Sequence, residues 1–219
     1  MNLPRRFDPA VPEMMDRPGQ DLDLLREDLT VLETINRWLG GHAIPLRYLP
    51  QFNARTVLDL ATGSADIPRA IAHRYDVTAV DNNPDILRIA RERSPGIRFE
   101  RQDLRALPYP PASFDIVLCS LALHHFAEAD VVAILRRIHE IARVGYIVND
   151  LRRNRAAIWL SRLLARTVLT NPIAKFDAPA SCERAFTVAE LRAMAERAGL
   201  EQFTIRRHHM FRMALVGRK

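Results

Sequence analysis

Thr56-Val57-Leu58-Asp59-Leu60-Ala61-Thr62-Gly63-Ser64-Ala65-Asp66 decides the fold. Its first half is a short apolar run bounded by turn residues, the pattern of a buried strand. In its second half Gly63 lets the backbone turn sharply and approach a ligand with no Cβ in the way. A helical pattern from Ile67 to Tyr75 follows. The unit then repeats. Val77 to Asp81 reads as a strand, Pro84 to Arg93 as a helix, and Ile97 to Gln102 as a third strand. Phe114 to Ser120 is a continuous apolar strand, Val131 to Ala142 a helix, and Gly145 to Asp150 a fifth strand. Such alternation predicts an α/β doubly wound, mostly parallel sheet with helices on both faces.

Working outward, residues 1–20 read as an irregular arm, because Pro4, Pro9, Pro12, Pro18 and Gly19 exclude a long helix. Leu22, Leu25, Leu29, Leu32, Ile35, Trp38 and Leu39 recur at three- and four-residue intervals, an amphipathic helix stopped by Gly40-Gly41. A short apolar segment runs from Ile44 to Phe52. Beyond the fifth strand, Ala156 to Leu169 predicts a helix. Thr187 with Glu190 forms a capping box, and Gly199 stops the helix it begins. Glu201 to Arg206 and Met210 to Val216 predict an antiparallel hairpin at the sheet edge. The chain divides into an N-terminal arm with lid helices, residues 1–53, and a sheet domain, residues 54–219.

The 219 residues carry 32 Lys and Arg against 26 Asp and Glu, a formal charge of +6. The arginines are spread over helices and termini without an aromatic-rich RNA-binding signature, so a solvated basic surface is the simpler account and a nucleic-acid partner is disfavoured. Cys119 and Cys182 form no CxxC pair, so neither a thiolate zinc site nor a disulfide framework is suggested. Met1 to Arg17 lacks the apolar stretch of a signal peptide, and no run is long enough to span a bilayer. A reducing, cytoplasmic setting is expected. The oligomeric state is not legible.

In a doubly wound sheet, ligands sit at the carboxyl ends of the strands. The loop Asp59, Ala61, Gly63 is not the GxGxxG of pyrophosphate binding, and Asp59 would repel phosphate while suiting a sulfonium or ammonium cation. Asp81, with Asn82, ends the second strand, where a carboxylate can accept bonds from two ribose hydroxyls. Asp103-Leu104 follows the third: the acid can take an exocyclic amine and the leucine can pack a ring face. Acids at three successive strand ends, without a phosphate loop, describe recognition of an adenosyl group.

With these motifs in this order, the chain resembles the class I S-adenosylmethionine-dependent methyltransferases over residues 54–150, and its helix–hairpin tail is similar too. The resemblance implies a seven-stranded sheet of order 3-2-1-4-5-7-6 with the last strand antiparallel, S-adenosylmethionine as cofactor, and a contact from Ser120 in the fourth-strand motif Phe114 to Ser120. The first loop departs from the family in carrying Ser64 and Ala65 where many members have glycine. Pro12-Glu13-Met14-Met15-Asp16, Ile35 to Gly40, Val148 to Arg153 and Arg184 to Thr187 are similar to small-molecule methyltransferases found beside aromatic polyketide pathways. That narrower resemblance implies O-methylation of a phenolic or polyketide-like hydroxyl. A quinone-type C-methyltransferase, a sugar O-methyltransferase and a non-catalytic adenosyl-binding module stand as alternatives. The Asn/Asp-Pro-Pro-aromatic signature of amine-methylating nucleic-acid enzymes is absent from the fourth strand.

Methyl transfer to a hydroxyl requires a base for the departing proton. The fourth strand runs out into His124-His125, and the fifth ends in Asn149-Asp150. Either histidine suits the role near neutrality. Asp150 would then orient His124 or simply anchor the turn, and one histidine would otherwise form pocket wall. Trp38 on the lid, His125, Asn149 and Arg153 are candidates for acceptor contacts, the arginine through an acceptor carboxylate or phenolate. Trp159, Leu163, Leu164 and Phe176, within Ala156 to Phe176, would supply an apolar wall for a flat acceptor. No metal is expected: His208-His209, the remaining pair, point to opposite faces if they lie on a strand.

Overall fold

The computed structural model describes residues 3–17 and 19–219. Pro18, read above as one of the arm's helix breakers, lies outside them with Met1 and Asn2.

Seven strands form one sheet: β1 Thr56–Leu60, β2 Asp76–Asp81, β3 Arg98–Arg101, β4 Phe114–Ser120, β5 Ala142–Leu151, β6 Phe203–His208 and β7 Arg212–Arg218. Their order is β3-β2-β1-β4-β5-β7-β6. The first five pair in parallel, and β7 runs antiparallel to both β5 and β6. This is the order that the family resemblance implies. The alternation of side chains along β1 assigns the layers. Leu58 and Leu60 pack with Val117 and Cys119 under helices α5 (Glu128–Ile141) and α8 (Val188–Arg197). Val57 faces the other way, packing with Ile116 and Ile147 under α2 (Ala43–Tyr48) and α3 (Asp66–Ile71). A third cluster joins Leu25 and Leu29 of α1 (Leu22–Trp38), Ile86 and Ile89 of α4 (Pro84–Arg93), and Ile173 of α7 (Pro172–Arg184).

The capping box at the start of α8 is formed, with Thr187 and Glu190 bonding each other's backbone amides. Helix α7 has no counterpart in the sequence-based expectation. Its apolar residues are spread around the helix rather than gathered on one face, and Pro179 stands inside it. Its start is nevertheless well marked. The Asn171 side chain accepts from the amides of Ile173 and Ala174, and Pro172 opens the first turn. Helix α6 (Arg155–Thr167) packs on α7, and the two form a hairpin over the carboxyl ends of the strands.

Opposite Tyr146 on β5 stands Gly217 of β7. A Cβ at Gly217 would lie 2.0 Å from the Tyr146 ring, which is itself fully buried. Gly217→Ala should therefore destabilise by roughly 1–3 kcal/mol through overpacking. A melting curve checks this, at about 2–4 °C per kcal/mol for a chain of this size. An unchanged Tm would show that the ring can move aside.

Candidate active site

The strand ends open into a cavity of about 750 Å³. Its roof is the arm (Phe7 to Asp16), the inner face of α1 and the α6–α7 hairpin. The volume is typical of a small-molecule site.

One half lies over β1, β2 and β3. The loop after β1 holds Ala61, Gly63 and Ala65 at φ of +53°, +54° and +58°. Two alanines in the left-handed region cost roughly 1 kcal/mol each relative to glycine, and such strain collects where a loop is shaped for a ligand. Asp81 fastens this loop, its two oxygens accepting from the amides of Gly63 (3.1 Å) and Asn83 (3.0 Å). Burial pushes the Asp81 carboxyl above its ordinary range in spite of those bonds. Asp59 is almost fully buried, and burial pushes it up to about 7. Asp103 is held below the usual carboxylate range by the Arg105 guanidinium. Leu104 is buried beside it, and Asn82 lines the cavity with its carbonyl accepting from Arg101. The Ser120 hydroxyl, at the end of β4, is buried without a hydrogen-bond partner among the described residues.

The other half lies over β4 and β5. A 3-10 turn, Leu123–His125, follows β4. The His124 amide donates to Asp150 Oδ2 at 3.1 Å, and its ring Nδ1 stands 2.6 Å from Oδ1. Because an ionised Asp150 can only accept, Nδ1 carries a hydrogen, and in the neutral ring the lone pair is then on Nε2. Burial pushes Asp150 up, but His124 outweighs it and holds the carboxyl below its ordinary value. The His125 ring makes a parallel bond, Nδ1 to Asp16 Oδ2 at 2.6 Å. Burial pulls His125 down, yet Glu13 and Asp16 carry it up to about 10.

Glu13 and Asp16, which come from the arm, were given no role from the sequence alone. Glu13 lies 3.9 Å from His124 Nε2 and 3.8 Å from His125 Nε2. It is nearly fully buried, accepts from the Ser181 hydroxyl at 2.9–3.0 Å, and pairs with Arg184 at 3.4 Å. Two acids three residues apart in a proline-rich arm were the available signal, but nothing local shows that they meet His124 and His125, far along the chain. Glu13, His124 and His125 each offer a donor atom, all within 4.8 Å of one another. That set could hold a divalent cation. His208 is not part of it, since it bonds the Tyr48 hydroxyl on the sheet edge.

Two acceptor-contact candidates are corrected. Trp38 is 84% exposed and does not border the cavity. It sits on the outer side of the last turn of α1, while Ile35, Asn36 and Leu39 face inward. Arg153 is buried and tied to the carbonyls of Leu3 and Ala185 and to Glu190, so it braces the arm and α8 away from the cavity. The apolar wall is also drawn differently. Trp159, Leu163 and Phe176 are exposed, whereas Leu164 of the expected set faces the cavity, together with Ser161 and Leu169. Asn149 lines the cavity and donates to the Gly41 carbonyl at 3.0 Å. Arg212, absent from the sequence-based set, is a buried cavity residue bonded to the Leu39 carbonyl and Asn36 Oδ1.

Residues 57–145 match the family model described as "Methyltransferase domain". The demethylmenaquinone methyltransferase of Deinococcus radiodurans is 38% identical over 126 residues, covering 54% of this chain and 51% of that one. The malonyl-[acyl-carrier protein] O-methyltransferase of Halorhodospira halophila is 40% identical over 103 residues, 44% of this chain and 33% of that one. The chain thus spans about half the length of the first relative and a third of the second. Among solved structures, human N-acetylserotonin methyltransferase in complex with S-adenosylmethionine superposes with a TM-score of 0.66 at 16% identity, over 91% of this chain and 56% of that one. The fold is that of the class I methyltransferases.

Proposed function

We propose that the chain is an S-adenosylmethionine-dependent methyltransferase acting on a small molecule, and that it methylates a phenolic hydroxyl. What carries this is one cavity with two chemically distinct ends. Three acids, Asp59, Asp81 and Asp103, face it from β1, β2 and β3, and a carboxylate-backed imidazole faces it from β4 and β5. The acidic end suits a cationic adenosyl ligand and repels phosphate. Asp81 and Asn82 take the ribose, Asp103 and Leu104 the adenine, and Ala61, Gly63 and Ser120 border the amino-acid tail. The relatives named as a demethylmenaquinone methyltransferase and a malonyl-[acyl-carrier protein] O-methyltransferase support methyl transfer as the chemistry. At the other end His124 Nε2 accepts the hydroxyl proton as the oxygen attacks the methyl carbon. Asp150 stabilises the imidazolium that forms. His125 is already paired with Asp16 and shapes the wall beside it.

The burial of Asp59 supplies a test. A sulfonium or ammonium beside it favours the carboxylate, so binding of the donor is linked to loss of a proton from a group at about 7. Affinity for S-adenosylmethionine should rise with pH, by up to roughly tenfold between pH 6 and pH 8, and Asp59→Asn should flatten the profile. Calorimetric titration across that range checks both. No binding at any pH would overturn the proposal, and a flat wild-type profile would remove Asp59 from the donor site.

A further inference from the structure

We propose that the outer face of α6 and α7 docks on an anionic lipid bilayer, and that the acceptor is an amphiphile taken from it. The second clause rests on the methyl-transfer proposal above; the first does not. Trp159 is 66% exposed, Val168 63%, Phe176 41% and Leu163 40%. These are four of the eight large apolar side chains exposed among the described residues, gathered within 18 positions. Helix geometry places Arg155, Trp159, Arg162, Leu163 and Arg166 on one stripe of α6. Ala157, Ser161 and Leu164 lie on the opposite stripe, where Ser161 and Leu164 border the cavity. One short helix is therefore cavity wall on one side and unpartnered surface on the other.

The charge on α6 and the first turn of α7 is cationic: Arg155, Arg162, Arg166 and Lys175 lie between Arg155 and Phe176 with no acidic residue among them, and Glu183 stands further along α7. Arg162 is paired with Glu183, while Arg155, Arg166 and Lys175 make no ion pair among the described residues. Arg17 adds a further cation, lying 5.0 Å from the centre of the Phe176 ring. Free cations around an exposed tryptophan and leucine match an interfacial helix, whose rings enter the headgroup layer while arginines meet anionic lipids. No helix among the described residues is long and apolar enough to cross a membrane, so the contact would be peripheral. Docked this way, the wall formed by Leu164 and Leu169 faces the bilayer across the thickness of one helix. An acceptor with an alkyl chain could leave that chain in lipid while its hydroxyl reaches His124.

The test uses the full chain and vesicles of phosphatidylcholine, with and without phosphatidylglycerol. Co-sedimentation should favour the anionic vesicles by roughly tenfold or more and weaken with salt. In a Trp38→Phe variant, Trp159 is the only tryptophan, and its emission should shift to the blue when anionic vesicles are added. The double variant Trp159→Ser, Phe176→Ser should lose roughly tenfold in partitioning while keeping its affinity for S-adenosylhomocysteine. Equal partitioning on both vesicle types, no blue shift, or a double variant that partitions normally would overturn the docking. Methylation of a water-soluble phenol but not of a long-chain alkylphenol held in the vesicles would overturn the amphiphile clause alone. Vesicle binding without any affinity for S-adenosylhomocysteine would instead remove the methyl-transfer reading and leave the docking in place.

Discussion

His124→Ala is expected to lower kcat/KM for methylation of a phenolic acceptor by roughly 10²- to 10⁴-fold, with affinity for S-adenosylhomocysteine unchanged within about twofold. The size of the loss follows from what the substitution removes. The His124 ring is buried and its Nδ1 is fixed on Asp150, so in the neutral ring Nε2 is the nitrogen that can accept. Of the other cavity histidines, His125 is engaged by Asp16 and carried up to about 10, which leaves it protonated at neutral pH, and His42 stands by the loop after β1 with its Nε2 3.3 Å from the Asp66 carbonyl. Single-turnover rates at saturating donor measure the effect, and donor titration separates it from misfolding. Asp150→Asn should cost less, because the imidazole remains but loses the charge that stabilises its protonated form. A rate unaffected by His124→Ala would remove the base and favour an acceptor that needs no deprotonation.

Asp81→Ala is expected to weaken donor binding by roughly 100-fold, about 3 kcal/mol. Asp81 accepts from the Gly63 and Asn83 amides in the unliganded loop, and in the proposed complex it also receives the ribose hydroxyls. The substitution removes these partners together and leaves the amides unsatisfied, so the penalty exceeds that of one hydrogen bond. Asp81→Asn keeps the shape and one acceptor oxygen, and should fall between the two. Calorimetry with S-adenosylhomocysteine checks the series. An Asp81→Ala protein that binds like wild type would place the ribose elsewhere.

The sheet was legible because its central strands β1, β2, β4 and β5 are buried on both faces and punctuated by acids and glycine. Phe114–Ser120 and Pro84–Arg93 match the expected limits without adjustment. The His124–Asp150 contact was also legible, since adjacent parallel strands bring their carboxyl ends together whatever the loops do. The roof was not. Trp38 and Arg153 read as ligand contacts because side-chain type suggests a role, but orientation is set by the turn of a helix and by partners far away in sequence. Arg153 meets Glu190 and the Leu3 carbonyl, and neither contact has a local signature. Helix α7 was hidden for a related reason: apolar Phe176 lies on its exposed side while Asp177 and Arg184 are buried against its neighbours, so its residues show no helical period.

The arm has a kinetic consequence. Its Met15 carbonyl accepts from Asn83 beside the donor loop, its Glu13 and Asp16 hold the histidine pair, and Asp177 of α7 receives the amides of Met14 and Met15. Residues 13–16 are thus stitched at once to both ends of the cavity and to its roof. Under the proposed function, freeing the spent donor would also disturb the groups around the acceptor, so the two products would depart as linked events rather than independently.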